Sequence, residues 1–254
     1  MSVPRTALVT GGARRIGRAI VEDLAAHGYA VAIHCHRSRE AAAALAADLA
    51  ARHGVATAVV PADLADLDKP ADVVGRASEA LGPIGLLVNS AAIFEADTIE
   101  TVDAGSWSRH MALNAAAAVL LAQAFAAALP AAAEGVIVNL LDSRVWRPSP
   151  RFFSYAASKA TLLAVTRTMA QALSPRIRVM AIGPGPVMKS LYQDDAEFER
   201  LVATLPLQRP VDAAEIAAAI RFIIATPSMP GRMLALDGGR SLDWRTPDFL
   251  ETGD

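Results

Sequence analysis

The chain carries a single cysteine, Cys35, among 254 residues. An intramolecular disulfide framework is therefore excluded, and Cys and His are nowhere spaced as zinc ligands. A reducing, cytoplasmic compartment and a metal-free chemistry are the expectation. Excess charge of one sign is lacking too: 24 Lys and Arg stand against 26 Asp and Glu, a formal net charge of −2. With no basic run, nucleic acid and anionic membrane surfaces are poor partners. The start of the chain lacks a signal-peptide layout, because its apolar run is broken by Gly11, Gly12, Arg14 and Arg15. Ala112 to Ala133 is long and apolar enough to span a bilayer. It is mostly alanine, however, and lies between Arg109 and Glu134, so it reads as a helix with one face on a sheet and the other on a partner subunit.

Linkers and internal repeats are also missing, which leaves one domain. What the sequence does contain is an alternation of short apolar, β-branched runs with longer helix-like segments, the pattern of a parallel sheet covered on both faces. Seven strands are predicted, at Ala7–Thr10, Ala30–His34, Ala56–Val60, Leu86–Asn89, Val136–Leu140, Arg178–Ile182 and Met233–Leu236. Helices are predicted at Ile16–His27, Arg39–His53, Leu67–Leu81, Trp107–Leu129, Phe153–Leu173, Ala196–Leu205 and Ala213–Ala225. Gly28, Gly54 and Gly82 follow helices and suit the positive φ of a C-terminal cap. The fold class is thus α/β, a single doubly wound Rossmann domain over residues 1–241. Residues 186–206 interrupt the rhythm and suit a lid, and 242–254 form a tail whose apolar residues suit a cover over a neighbouring subunit's pocket.

After the first strand, Thr10-Gly11-Gly12-Ala13-Arg14-Arg15-Ile16-Gly17 opens a helix. Glycines at such a turn let the backbone approach a pyrophosphate, and the helix N-terminus offers free N–H groups. Gly11, Arg15, Ile16 and Gly17 are the binding candidates there. An NAD site usually adds an acidic residue about 20 positions on, at the ribose 2′-hydroxyl. Here that region reads His34-Cys35-His36-Arg37-Ser38, with no carboxylate. His36, Arg37 and Ser38, together with Arg15, suit a 2′-phosphate, so NADP(H) is expected over NAD(H). A cation such as Arg37 at a helix start opposes the dipole and needs another reason to be there.

Tyr155 and Lys159 lie four residues apart on one helical face. A neighbouring ammonium favours the phenolate, so the Tyr155 pKa is expected to fall towards the working pH. With these residues the sequence resembles the short-chain dehydrogenase/reductase family. Its motifs occur in family order: Thr10–Gly17, Ala62-Asp63-Leu64, Asn89-Ser90-Ala91-Ala92, Asn114, Tyr155 with Lys159, Gly183-Pro184-Gly185 and Asp237-Gly238-Gly239. The resemblance implies Tyr155 as proton donor, Lys159 tuning it and binding the nicotinamide ribose, and Asn114 holding a water relay. It also implies cofactor contacts at Asp63, Leu64, Ser90, Ala91, Pro184 and Gly185, and a homotetramer.

The departures are specific. The family's serine is expected at 142, where this chain has Asp142, and Ser143 is one place late and faces the other way on a strand. Arg15, the His-x-His-Arg-Ser run and Asp142 together look like the pteridine reductase branch, whose members reduce pterins with NADPH. That resemblance implies Phe94 stacking on the pterin ring, Arg15 contacting phosphate and pterin, and Trp146 walling the pocket. Ala92 departs from it, removing a hydroxyl that the branch usually carries. Asp142 suits a pterin, whose amine donates to a carboxylate, and a competing role for it is to compensate Lys159 or Arg144. The expected function is NADPH-dependent reduction of a dihydropterin C=N bond. A carbonyl reductase of the same fold and a noncatalytic cofactor sensor are the alternatives.

Overall fold

The structure, a computed structural model, describes residues 2–242. Seven strands, β1 (Thr6–Val9), β2 (Ala30–Cys35), β3 (Thr57–Pro61), β4 (Leu86–Asn89), β5 (Gly135–Leu140), β6 (Ile177–Pro184) and β7 (Met233–Leu236), form one sheet. Their order is β3-β2-β1-β4-β5-β6-β7 and every pairing is parallel. All seven stand where the apolar runs predict them.

The alternation along each strand decides which helical layer it faces. Val9, Ile33, Val88 and Val138 pack against α1 (Arg15–Ala26), α2 (Arg39–His53) and α8 (Ala213–Ala225), through Ile20, Leu49 and Ile220. Leu8, Ala32, Leu87 and Ile137 face the opposite layer, α3 (Lys69–Leu81) and α5 (Ala117–Ala128), through Val73, Leu121 and Phe125. Burying such a side chain stabilises the fold by about 1.5–3 kcal/mol. A sheet buried on both faces explains the uninterrupted apolar runs, and it accounts for the long alanine-rich helix, whose inner face is core.

That helix differs from its predicted form in two ways. It begins at Ala104, before Trp107, because Asp103 caps it: the carboxylate accepts from the Ser106 N–H at 2.7 Å and the serine returns the contact. Between α4 (Ala104–Met111) and α5 a π-helical turn, Ala112–Ala116, carries Asn114. The helices α2, α6 (Phe153–Leu173) and α8 have the predicted bounds, and Gly28, Gly54 and Gly82 take φ of 78°, 65° and 82°. After β6 the chain runs through an irregular stretch into α7 (Asp195–Ala203). The tail lies, from residue 243, outside the described residues.

The strand order reverses between β1 and β4, so their C-terminal ends diverge and leave a crevice. The active-site candidates gather there.

Candidate active site

A cleft of about 770 Å³ opens at the C-terminal ends of the central strands. Gly11, Arg15, Ile16, Gly17, Ser90, Pro184 and Gly185 line it on one side, and Phe94, Asp142, Tyr155 and Lys159 on the other. The segment from Pro186 to Leu201 borders it through Met188, Tyr192 and Phe198.

The glycine loop is held tightly. Gly11 has φ of +65°, and its N–H donates to His34 Nδ1 at 3.1 Å. Burial lowers the His34 pKa to about 4, so the ring is neutral and its Nε2–H donates to the Ala62 carbonyl at 3.2 Å. His34 thereby ties the loop to the end of β3, a role that sequence reading missed. A Cβ at Gly17 would run into the Gly11 carbonyl oxygen. The N-terminus of α1 has no side-chain cap and no acidic residue in its first turn. Open N–H groups beneath a loop of this kind suit a diphosphate. Thr10 Oγ1 accepts from the N–H groups of Ser90 (2.9 Å) and Ala91 (3.0 Å), joining the ends of β1 and β4.

Several predicted cofactor residues stand beside the cleft without lining it. His36 lies 3.6 Å from Asp63, Arg37 is exposed, and Ser38 precedes α2 without capping it. Leu64 is buried in the core. Arg15 lines the cleft, which His36 and Arg37 do not. Its backbone has φ of 50°, and its guanidinium donates to the carbonyls of Met188 (3.4 Å) and Lys189 (3.0 Å). The loop is thus bonded to the segment after β6.

On the other side, Tyr155 Oη donates to Asp142 Oδ2 at 3.0 Å. Arg144 Nη1 reaches the same oxygen at 3.0 Å, and the Arg144 N–H donates to Asp142 Oδ1 at 2.8 Å. Asp142 caps the 3₁₀ turn Ser143–Val145, which folds Arg144 back into the cleft. The counter-cation is therefore Arg144, while Lys159 Nζ donates to the Leu140 carbonyl at 2.8 Å. The expected fall in the Tyr155 pKa is overturned. Burial, and then the negative charge of Asp142, push it well above 10, against the opposing pull of Arg144. Burial also lowers Lys159 from 10.5 to about 8. Ser143 is fully buried, its Oγ without a partner among the described residues, and does not line the cleft.

Phe94 stacks on Phe152, with centroids 4.1 Å apart, and meets Tyr155 edge-on at 4.7 Å. Arg144 lies over both phenylalanine rings, at 5.3 Å and 5.4 Å. Trp146, expected in the pocket wall, is half-exposed and off the cleft, because the 3₁₀ turn ends there and points it outward. Asn114 lies beneath the cleft. Its amide bonds the Ile93 backbone on both sides (2.9 and 3.0 Å) and donates to Ser158 Oγ at 3.0 Å. It therefore holds the strand-end loop that carries Phe94 against the helix that carries Tyr155. A second brace is Asp97: its carboxylate accepts from the Ser154 N–H and hydroxyl, and Ser154 Oγ lies 2.8 Å from His110 Nδ1.

A doubly wound sheet with a glycine loop at its switch point, facing a Tyr–Lys pair, defines a dinucleotide-dependent oxidoreductase. The chain belongs to the short-chain dehydrogenase/reductase family, whose profile, described as short chain dehydrogenase, matches residues 5–199. It is 48% identical to FolM alternative dihydrofolate reductase 1 from Brucella canis, solved with NADP. That likeness covers 96% of each chain at a TM-score of 0.93. A blue fluorescent protein from a metagenomic library, solved with NADPH, is 34% identical over 92% of this chain and 96% of its own, with a TM-score of 0.86. An acetoacetyl-CoA reductase of Allochromatium vinosum is 31% identical over 92% of this chain and 98% of its own.

Proposed function

We propose that the protein is an NADPH-dependent reductase of dihydropterins, acting on a C=N bond. The observation that carries this reading is Asp142, a carboxylate 3.0 Å from the Tyr155 phenol at the floor of an aromatic cleft. Reducing a ketone needs only a hydroxyl donor at that place, whereas a carboxylate accepts the N–H groups a pterin presents. The likeness to a FolM alternative dihydrofolate reductase supports the same substrate class.

The glycine loop and the open start of α1 fit the cofactor diphosphate, since the missing Cβ at Gly17 lets the helix start pack directly against the Gly11 backbone. His36, Arg37 and Ser38 would hold the 2′-phosphate, with Asp63, Leu64, Ser90 and Ala91 flanking the nucleoside. Lys159, Tyr155, Pro184 and Gly185 would bound the nicotinamide end. The cofactor, when bound, supplies the hydride. Tyr155 stays protonated across the physiological range and holds its proton towards Asp142, ready for a substrate ring nitrogen. Lys159 contributes positive charge at the same wall, and Asn114 anchors the route by which solvent restores the proton. Phe94, with Arg15 at the opposite rim, flanks the pterin, and residues 186–206 act as the lid.

Purified protein should oxidise NADPH with dihydrobiopterin or dihydromonapterin. Failure across a dihydropterin panel, with turnover of ketones or acyl thioesters, would refute the reading. The likeness to an acetoacetyl-CoA reductase favours a carbonyl reductase as the second reading. Asp142→Ser separates the two: dihydropterin turnover should fall at least tenfold, whereas a carbonyl reductase would keep or gain activity. We also propose a cytoplasmic homotetramer, with α5 and α6 at the interfaces, and a monomer in light scattering at micromolar concentration would contradict it.

A further inference from the structure

The chain has a net charge of −2, yet its cleft is lined by seven Lys or Arg side chains and two carboxylates. Both carboxylates are engaged, Asp142 by Tyr155 and Arg144, and Glu197 by the Asp194 N–H in a helix cap. Lys159 and Arg15 donate to backbone carbonyls. Arg14, Arg151, Arg200 and Arg240 line the same cleft, and their side chains have no hydrogen bond or ion pair among the described residues; Arg14 stands at the start of α1, where the cofactor diphosphate would lie.

Away from the glycine loop, Arg240 is the most constrained of these. It opens a 3₁₀ turn directly after Gly238 and Gly239, at φ of +64° and +86°. Asp237 holds that turn by accepting from the N–H groups of Gly239 (3.0 Å) and Ser241 (2.8 Å). Burial, and then the charges of Arg144 and Arg147, disfavour the Arg240 charge, against the opposing pull of Asp142 and Asp237. A guanidinium kept in such a place, with no carboxylate bonded to it among the described residues, is set up for an anion from outside. Arg151 lines the same cleft, over the Phe152 ring that stacks on Phe94.

We infer that Arg240, assisted by Arg151, forms a subsite for an anionic group, carboxylate or phosphate, on the side chain of the substrate. The inference rests on the dihydropterin reading and narrows it to pterins with charged side chains. The glycine loop leaves this subsite to the substrate, because the cofactor phosphates have their own cradle at the start of α1.

The test compares dihydrobiopterin, whose side chain is uncharged, with dihydrofolate and with a side-chain phosphate ester of a dihydropterin, in the NADPH-loaded enzyme. In the native protein KM for the charged substrates should rise with ionic strength, and KM for dihydrobiopterin should not. Arg240→Gln should raise KM for the preferred charged substrate at least tenfold relative to dihydrobiopterin, with Arg240→Lys recovering part of the difference. Which of dihydrofolate and the phosphate ester responds more identifies the anion. Calorimetric titration of the NADP-loaded protein should show the same ratio in Kd, and Arg151→Gln supplies the comparison should Arg240→Gln not fold. Equal changes for charged and uncharged substrates, in both variants, would overturn the subsite alone. Binding and turnover of no dihydropterin would overturn the underlying reading and the subsite with it.

Discussion

Lys159 sits in the wall of the cleft at 3% exposure, its ammonium bonded to one carbonyl. Burial holds its pKa at about 8 against an ordinary 10.5, so the folded protein binds fewer protons than the unfolded chain between those values. Stability must therefore rise with pH through that window. Relative to a neutral side chain, the buried charge costs about 3 kcal/mol at pH 7, about 2 at pH 9 and about 1 or less at pH 10. Lys159→Met removes the charge and keeps most of the volume. It also removes the hydrogen bond to Leu140, a loss of about 1–3 kcal/mol that does not vary with pH. The measurable quantity is the pH dependence of the difference. Urea denaturation of the cofactor-free proteins should show the variant's stability relative to the native protein falling by about 2–3 kcal/mol from pH 7 to pH 10. Tyr155 is present in both and cancels. A difference that stays constant, or grows with pH, would refute the placement of a buried, protonated lysine in this wall.

The remaining predictions concern its neighbours. Tyr155→Phe should lower turnover by about 10²–10⁴-fold and leave the Kd for NADPH, read by nucleotide fluorescence, within a few-fold of native. Turnover that survives would remove Tyr155 as donor, and lost cofactor binding would make it structural. Asp97→Ala leaves the Ser154 N–H and hydroxyl without their buried acceptor and should destabilise the fold by about 2–3 kcal/mol in urea. Because Asp97 braces the start of the helix that carries Tyr155, the same variant should lower kcat more than it raises KM for the pterin.

What could be read in the sequence, and what could not, follows from where each contact is made. A strand buried on both faces is an unbroken apolar run, so β1 to β7 were legible, and the Tyr–Lys pair was legible because its spacing lies within one helix. Burial is not a property of spacing. Lys159 beside Tyr155 suggested a lowered phenol pKa, while the desolvation and the Asp142 charge that reverse the direction come from β5 and the turn after it. Arg144 was legible as a possible partner of Asp142, but its place in the cleft was not, for a related reason. Four residues past the end of β5, a side chain is ordinarily free, and only the Asp142-capped turn returns it to the carboxylate and to the rings of Phe94 and Phe152. The same turn carries Trp146 out of the cleft. Phe152 enters it through a left-handed backbone, φ of 58°, that no composition pattern marks. The π-turn at Asn114 is hidden within an alanine-rich run, where any helical register looks alike. Motifs confined to one element thus identify the chemistry, whereas the residues that tune it, His34, Arg144 and Arg240, lie at strand ends and turns. Substitutions there should change which substrate and which pH the enzyme favours, while the Tyr155 and Lys159 machinery stays in place.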